Sequence, residues 1–333
     1  MTEHEDVREL LAAWAFGALD AADADRVRPH LAGCESCAAE AERLRETVRL
    51  LDGPPIGGLP ARPATGLPPA LLARRPTAPR TAAHAACYAA AVQALRALLP
   101  EAEGRWATPV VHDWDVHATV AHLLAADEAL AGRLGIPARV PETVLPQDMR
   151  WEEAWARRTA DVIAHEHART PGETVASWAG QADALLATPE ARDPELAARA
   201  ELLMGLRLPV ADHFAVRAFE TWIHTDDIGR ALGLVVPPPP EPHLDQLVRL
   251  AVRVLGLALG PEATPVLFSV TDGEEWGLGS SAEPVAAELT LDPVDFCLLM
   301  GGRTAPEEVP RGATGDAAAV RNVLEAAASL AWL

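Results

Sequence analysis

His30, Cys34 and Cys37 fall in the run HLAGCESC, with a histidine four places before one cysteine and a second cysteine three places later. Imidazole and thiolate are the donors that a tetrahedral zinc site takes. The short segment between them can set the histidine at the end of one helix and both sulfurs at the start of the next. A fourth donor has to come from the preceding helix, and His4, near its beginning, is the candidate. A second group is scattered along the chain. Glu220 and His224 are four apart in ADHFAVRAFETWIHTDDIGRALG, so they project from one helix face, with His213 and Arg217 roughly on that face too. His122 interrupts an apolar stripe of Val120, Leu123 and Leu124. A bundle that brings His122 against Glu220 and His224 makes a two-histidine, one-carboxylate site with open positions, suited to a divalent ion acting as a Lewis acid.

Spacing by itself leaves the ordinary readings open. A C-x-x-C beside a surface histidine needs no metal, an E-x-x-x-H pair is commonly a surface pair, and a lone His122 can be a satisfied core histidine. A redox role for C-x-x-C requires a strand–turn–helix setting that this stretch lacks.

The elements that must carry these residues can be read from periodicity. Residues 4–51 give three short helices, the first with Val7, Leu10, Leu11, Trp14 and Leu19 near helical spacing and the third with Leu44, Val48 and Leu51 on one stripe. The second has acidic residues at its start, where the helix dipole favours them. GPPIGGLPARPATGLPPALLARRPTAPR is too rich in Pro and Gly for a regular element and reads as a linker. Helices are then expected at 82–99, 119–134, 150–168 and 198–232, the last bent or broken at Pro209, enough for a four-helix bundle. VVPPPPEPH ends that region. PVLFSVTD, EEWGLGS and AAELTLD are strand candidates, and DPVDFCLLMGG and DAAAVRNVLEAAASLAW are helical. The fold class is therefore multi-domain: a small all-α zinc-binding domain (1–51), a linker (52–81), a metal-binding four-helix bundle (82–235) and a small α+β C-terminal domain (242–333). A unit of about fifty residues has too little core to be secure alone, which suits a structural metal.

Composition narrows the function classes. All 28 basic residues are arginine, and the net charge of −20 argues against direct nucleic-acid binding, which needs a basic surface. Four cysteines do not make a disulfide framework; Cys87 and Cys297 read as small buried hydrophobes. MTEHEDVREL has no signal-peptide pattern, and no apolar run reaches a membrane span of about 20 residues. No membrane association and a cytoplasmic location, with reduced thiols, are expected. The segment HEH at 165–167, beside ARTPGE, is expected to be solvated.

HEDVRELLAAWAFGALDAADADRVRPHLAGCESCAAEAERLRE resembles the zinc-binding anti-sigma domain. That family places a first ligand, often cysteine, before the H-x-x-x-C-x-x-C; His4 stands at that position here and makes the set His2Cys2. The resemblance implies a structural zinc and helices that clasp an extracytoplasmic-function sigma factor. HDWDVHATVAHLLAADEAL and RAFETWIHTDDIGRALGL are similar to the metal-binding domain of mycothiol-dependent maleylpyruvate isomerases, a branch of the DinB-like bundles. Trp114 and Asp115 match the residues leading into its second helix, and His122, Glu220 and His224 match its metal ligands. ELTLDPVDFCLLMGGRTAPEEVPRGATGD resembles the C-terminal domain of the same proteins. The resemblance implies zinc or another divalent metal in the bundle and mycothiol as thiol cofactor, the metal holding thiolate for attack on an electrophile. Arg303 either meets an anionic group of that cofactor or is a surface arginine. His213 and Arg217 are candidates for supporting the metal ligands or the reaction.

Two functions of different class follow. One is a cytoplasmic anti-sigma factor that sequesters a sigma factor and carries an isomerase-like sensor for a thiol, a metal or a small molecule. The other is a mycothiol-dependent, metal-assisted isomerase or S-transferase with an accessory zinc finger. The joining of the two parts favours the first, and the intact trio His122, Glu220 and His224 favours the second.

Overall fold

The computed structural model describes residues 3–15, 18–19, 21–52, 81–146 and 148–330. The expected linker falls, but for its two end residues, outside them. Contacts divide the chain into two units, Met1–Arg75 and Pro76–Leu333.

The first unit is three helices: α1 (Glu3–Ala15), α2 (Ala21–Gly33) and α3 (Glu35–Asp52). Its core is small. Val7, Leu11, Val27, Cys37 and Ala41 are buried, with Leu10, Trp14, Leu19, Leu31, Cys34 and Leu44 packed partly buried around them. Five buried apolar side chains cannot offset the ordering of three helices by much, which gives a metal a structural role to fill.

The second unit begins with α4 (Ala83–Leu98), a short β1–β2 hairpin (Pro109–Val111, Trp114–Asp115) and α5 (Val116–Arg133). Then come α6 (Trp151–His167), α7 (Pro171–Ala187), the single turn α8 (Pro194–Ala197), a β3–β4 hairpin (Ala200–Leu203, Leu206–Pro209) and α9 (Val210–Ala231). Helix α9 packs along α4 and on α5, α5 on α7, and α7 on α4, closing a ring of four helices; α6 lies against α5. Buried Tyr88, Leu95, Leu123, Leu124, Trp178, Leu185, Phe214 and Ile223 fill the interior.

Two expectations differ here. The span 198–232 is not one bent helix: residues 200–209 form the antiparallel hairpin, and α9 starts at Val210 with Pro209 as its N-cap. Proline has no N–H to give and fixes φ, so it starts this helix instead of bending it. Helix α7 was not expected. Its start carries a full capping box, Thr170 accepting from Glu173 N while the Glu173 side chain accepts from Thr170 N, with Pro171 in the first turn.

The C-terminal part has α10 (Glu241–Leu259), then β5 (Val266–Val270), β6 (Glu275–Leu278), β7 (Ala287–Leu291), α11 (Pro293–Met300), β8 (Arg311–Gly315) and α12 (Ala317–Ser329). The sheet order is β6-β5-β7-β8, with β5 and β7 parallel and the outer pairs antiparallel. One hydrophobic cluster runs from Ala85 through the bundle to Ala327, so the sheet and bundle share a core instead of forming separate compact units. Strand β8 was not expected; RGATG has no apolar alternation to announce it. Gly301, at the end of α11, lets this part approach α9: a Cβ there would lie 3.1 Å from Ile223 Cδ1. No helix among the described residues is long and apolar enough to cross a membrane.

Candidate metal sites and their surroundings

In the first unit, His4 comes from the first turn of α1, His30 from the last turn of α2, Cys34 from the residue between α2 and α3, and Cys37 from the first turn of α3. Their donor atoms all lie within 4.8 Å of one another. His4 Nδ1 is 3.7 Å from Cys34 Sγ and 3.6 Å from Cys37 Sγ. Zinc bond lengths on a tetrahedron require an N–S edge of about 3.6 Å. His30 Nε2 is buried and has no hydrogen-bond partner among the described residues, an orphan that an ion would satisfy. The Ser36 hydroxyl and the Cys37 backbone N–H favour thiolate at Cys34 and pull its pKa to about 6, while burial raises that of Cys37. Donor chemistry and spacing both fit zinc.

In the second unit, α5 contributes His122 and α9 contributes Glu220 and His224. All three are buried, and their ligand atoms again lie within 4.8 Å of one another. His122 Nε2 is 2.9 Å from Glu220 Oε1. His122 Nδ1 and His224 Nε2 are buried without hydrogen-bond partners among the described residues. The orphan Nε2 of His224, beside His122 Nε2 and the buried Glu220 carboxylate, fits a divalent ion with two histidines and one carboxylate as ligands, leaving positions open.

Charge around the trio is arranged in pairs. Arg217, one turn before Glu220, puts Nη1 2.6 Å from Glu220 Oε2 and donates from the same atom to Ala126 O at 2.7 Å. The first contact is close enough for an ion pair, but its angles miss hydrogen-bond geometry, so that carboxylate oxygen still has no hydrogen bond among the described residues. Burial pushes Glu220 up; the Arg217 charge and the His122 bond outweigh it and hold its pKa near 2. Burial lowers His224 to about 4, keeping the imidazole neutral as a ligand must be. Asp227 takes the other side of His224, with Oδ2 3.1 Å from Nδ1, and is itself held by Arg303 through two contacts of 3.1 and 2.5 Å.

Arg303 is thus 9% exposed and bound to an internal carboxylate. It is not the surface arginine that its sequence context favoured. His213 is turned elsewhere: its Nε2 bonds Glu201 O of β3 at 3.0 Å, outside the trio. Asp227 escaped the sequence reading, although its spacing of three from His224 on a helix was a usable signal. Asp127 escaped it too. It is buried, accepts a 2.6 Å bond from Tyr88 Oη, and is raised to about 7, chiefly by burial.

The segment HEH needs a correction. His165 and His167 are exposed, but Glu166 is wholly buried, accepting from Arg169 at 2.9 and 3.0 Å and from Thr174 Oγ1 at 2.8 Å. Its side chain faces α7, a helix the sequence reading lacked. Cys87 and Cys297 are buried, and burial raises both thiols, Cys87 to about 12.

Residues 5–38 match the putative zinc-finger family, and residues 85–229 match the mycothiol maleylpyruvate isomerase N-terminal domain. Two uncharacterized proteins of Mycobacterium tuberculosis, from strains CDC 1551 / Oshkosh and ATCC 25618 / H37Rv, are each 30% identical over 238 residues, 68% of this chain and 86% of theirs. The crystal structure of the mycothiol-dependent maleylpyruvate isomerase shares the fold at a TM-score of 0.50 and 15% identity, covering 70% of this chain and 92% of that one. The chain belongs to one family with these two Mycobacterium tuberculosis proteins, and it carries a putative zinc-finger domain followed by a mycothiol maleylpyruvate isomerase N-terminal domain.

Proposed function

We propose that this protein is a zinc-binding anti-sigma-type regulator whose isomerase-like, DinB-like bundle is its metal-dependent sensor, acting in the cytoplasm. The observation that carries the reading is the closed four-donor set of His4, His30, Cys34 and Cys37. All three helices of the small unit supply donors to it or flank it, so an ion bound there has no vacancy for chemistry and a fold to hold. Such a unit serves as a binding surface, and an extracytoplasmic-function sigma factor is the partner chemistry to which its anti-sigma character points. Full-length protein should retain one of the host's sigma factors in a pull-down and release it when a strong chelator strips zinc. Binding of none of them overturns the regulatory reading.

A second reading rests on the open trio in the bundle. A divalent ion held by His122, Glu220 and His224 would supply Lewis acidity and keep a thiol such as mycothiol ionised. Around it, Arg217 keeps Glu220 ionised, Asp227 fixes the His224 ring with Nε2 inward, and Arg303 fixes Asp227. Metal-dependent turnover of maleylpyruvate, or of another electrophile, with mycothiol by the full-length protein supports this reading. No thiol consumption at full metal loading overturns it.

A further inference from the structure

The two histidines of the trio are held by different means. His224 is fixed at Nδ1 by Asp227, the usual device for orienting a ligand imidazole. His122 has no such partner: it is 3% exposed, and its Nδ1 is buried without a hydrogen bond among the described residues. What meets its ring is aromatic. Trp114 stacks on it with centroids 4.4 Å apart and planes 29° apart, and Trp155 stands edge-on at 5.9 Å and 71°.

Trp114 is itself well anchored. It pairs with Val111 across the β1–β2 hairpin, and the next residue, Asp115, caps α5 by accepting from Ala118 N at 2.8 Å. The hairpin therefore delivers the indole to the helix that carries His122. His112, at the hairpin turn, lies edge-on to the indole at 5.1 Å.

We propose that Trp114 is the positioning residue for His122, its indole face fixing the imidazole plane where a hydrogen-bonding carboxylate would otherwise do so. This rests on the metal-site reading of His122, Glu220 and His224. A stack limits tilt of the ring, and the Nε2 contact to Glu220 selects which nitrogen faces the trio. An imidazole that coordinates a cation gains positive character, which an indole face attracts, so the stack favours the metal-bound ring over the free one.

The test is a chelator-competition titration of zinc on full-length protein, with the N-terminal ion as internal standard. Wild type should hold two ions. Trp114→Ala should weaken the bundle ion about 3- to 10-fold, the range an aromatic pair supplies, and leave the N-terminal ion unchanged. Trp114→Phe, which keeps a ring face, should restore most of that affinity. Trp114→Leu, which keeps bulk without a ring face, should not. Equal affinity of the Phe and Leu variants, or an Ala variant as tight as wild type, overturns the proposal. If Trp114→Ala loses its helical signal, the Phe and Leu pair decides alone. A wild-type chain with only the N-terminal ion overturns the metal-site reading, and the proposal falls with it.

Discussion

The two donor clusters share a pair of histidines but sit in opposite settings. In the first unit, four donors sit on or between three short helices beside four other buried apolar side chains, and two of the donors are cysteine sulfurs. In the second, three donors sit on two long helices within a continuous core, Glu220 paired with Arg217 and His224 backed by the Asp227–Arg303 pair. Where the core is small, an ion bound by the four donors would supply cohesion, and ligand set and fold would be one cooperative unit. Where the core is large, packing presets the ligands and an ion adds chemistry more than cohesion.

That contrast breaks most sharply on metal removal. Chelation, or Cys37→Ser, should unfold residues 3–52 and leave the bundle folded, because structural zinc supplies on the order of 10 kcal/mol to small domains. Hydrogen exchange read by segment checks it, with prompt exchange confined to α1, α2 and α3. Chelation that leaves α1–α3 protected means the small core suffices.

The next largest effect is in the bundle. Glu220→Ala leaves Arg217 buried without its carboxylate, at a cost of about 3–5 kcal/mol in a urea titration. Arg217→Met, Glu220→Gln together should recover most of that stability while still losing the ion, which separates fold from ligation.

Asp127 sharpens the comparison through pH. Its folded pKa is raised to about 7, so between about pH 4 and 7 the native state binds a proton that the unfolded state has lost. Its contribution to stability is present below about pH 4 and is lost as pH rises to 7, by up to about 1.4 kcal/mol per unit. Glu220 and Asp227 run the other way, since their pKa values are depressed. The difference between wild type and Asp127→Asn isolates the one carboxyl: the variant's relative stability should climb across that window and then level off. A flat difference between pH 4 and 8 means that Asp127 does not titrate there.

The smallest effect concerns the outer partner of His224. Asp227→Ala should weaken the bundle ion about 10- to 100-fold with little change in helix content, as measured by competition titration. The N-terminal ion, whose four donors lie in the other unit, should be untouched in that variant.

Local pattern decided a good deal. The H-x-x-x-C-x-x-C run and His4 were legible because ligands close in sequence on short helices have few ways to be arranged. Glu220 and His224 were legible because a helix fixes which residues share a face. Helices α4, α5, α6 and α9 and strands β5, β6 and β7 followed from periodicity. The capping box of α7 was written in Thr170 and Glu173 and went unread behind Pro171 and Gly172. The hairpin at 200–209 and strand β8 lack any clear apolar alternation; pairing partners made them strands.

The amino-acid order by itself determined the donor types, their spacing along each helix and the helices that carry them, because these depend on neighbours a few residues away. Only the tertiary structure decided that His122 meets a pair 98 residues further on, that Arg303 neutralises Asp227 across 76, and that a tryptophan faces His122 where a carboxylate stands behind His224. Those are contacts between distant segments, set by how a shared core closes, and no local pattern encodes them.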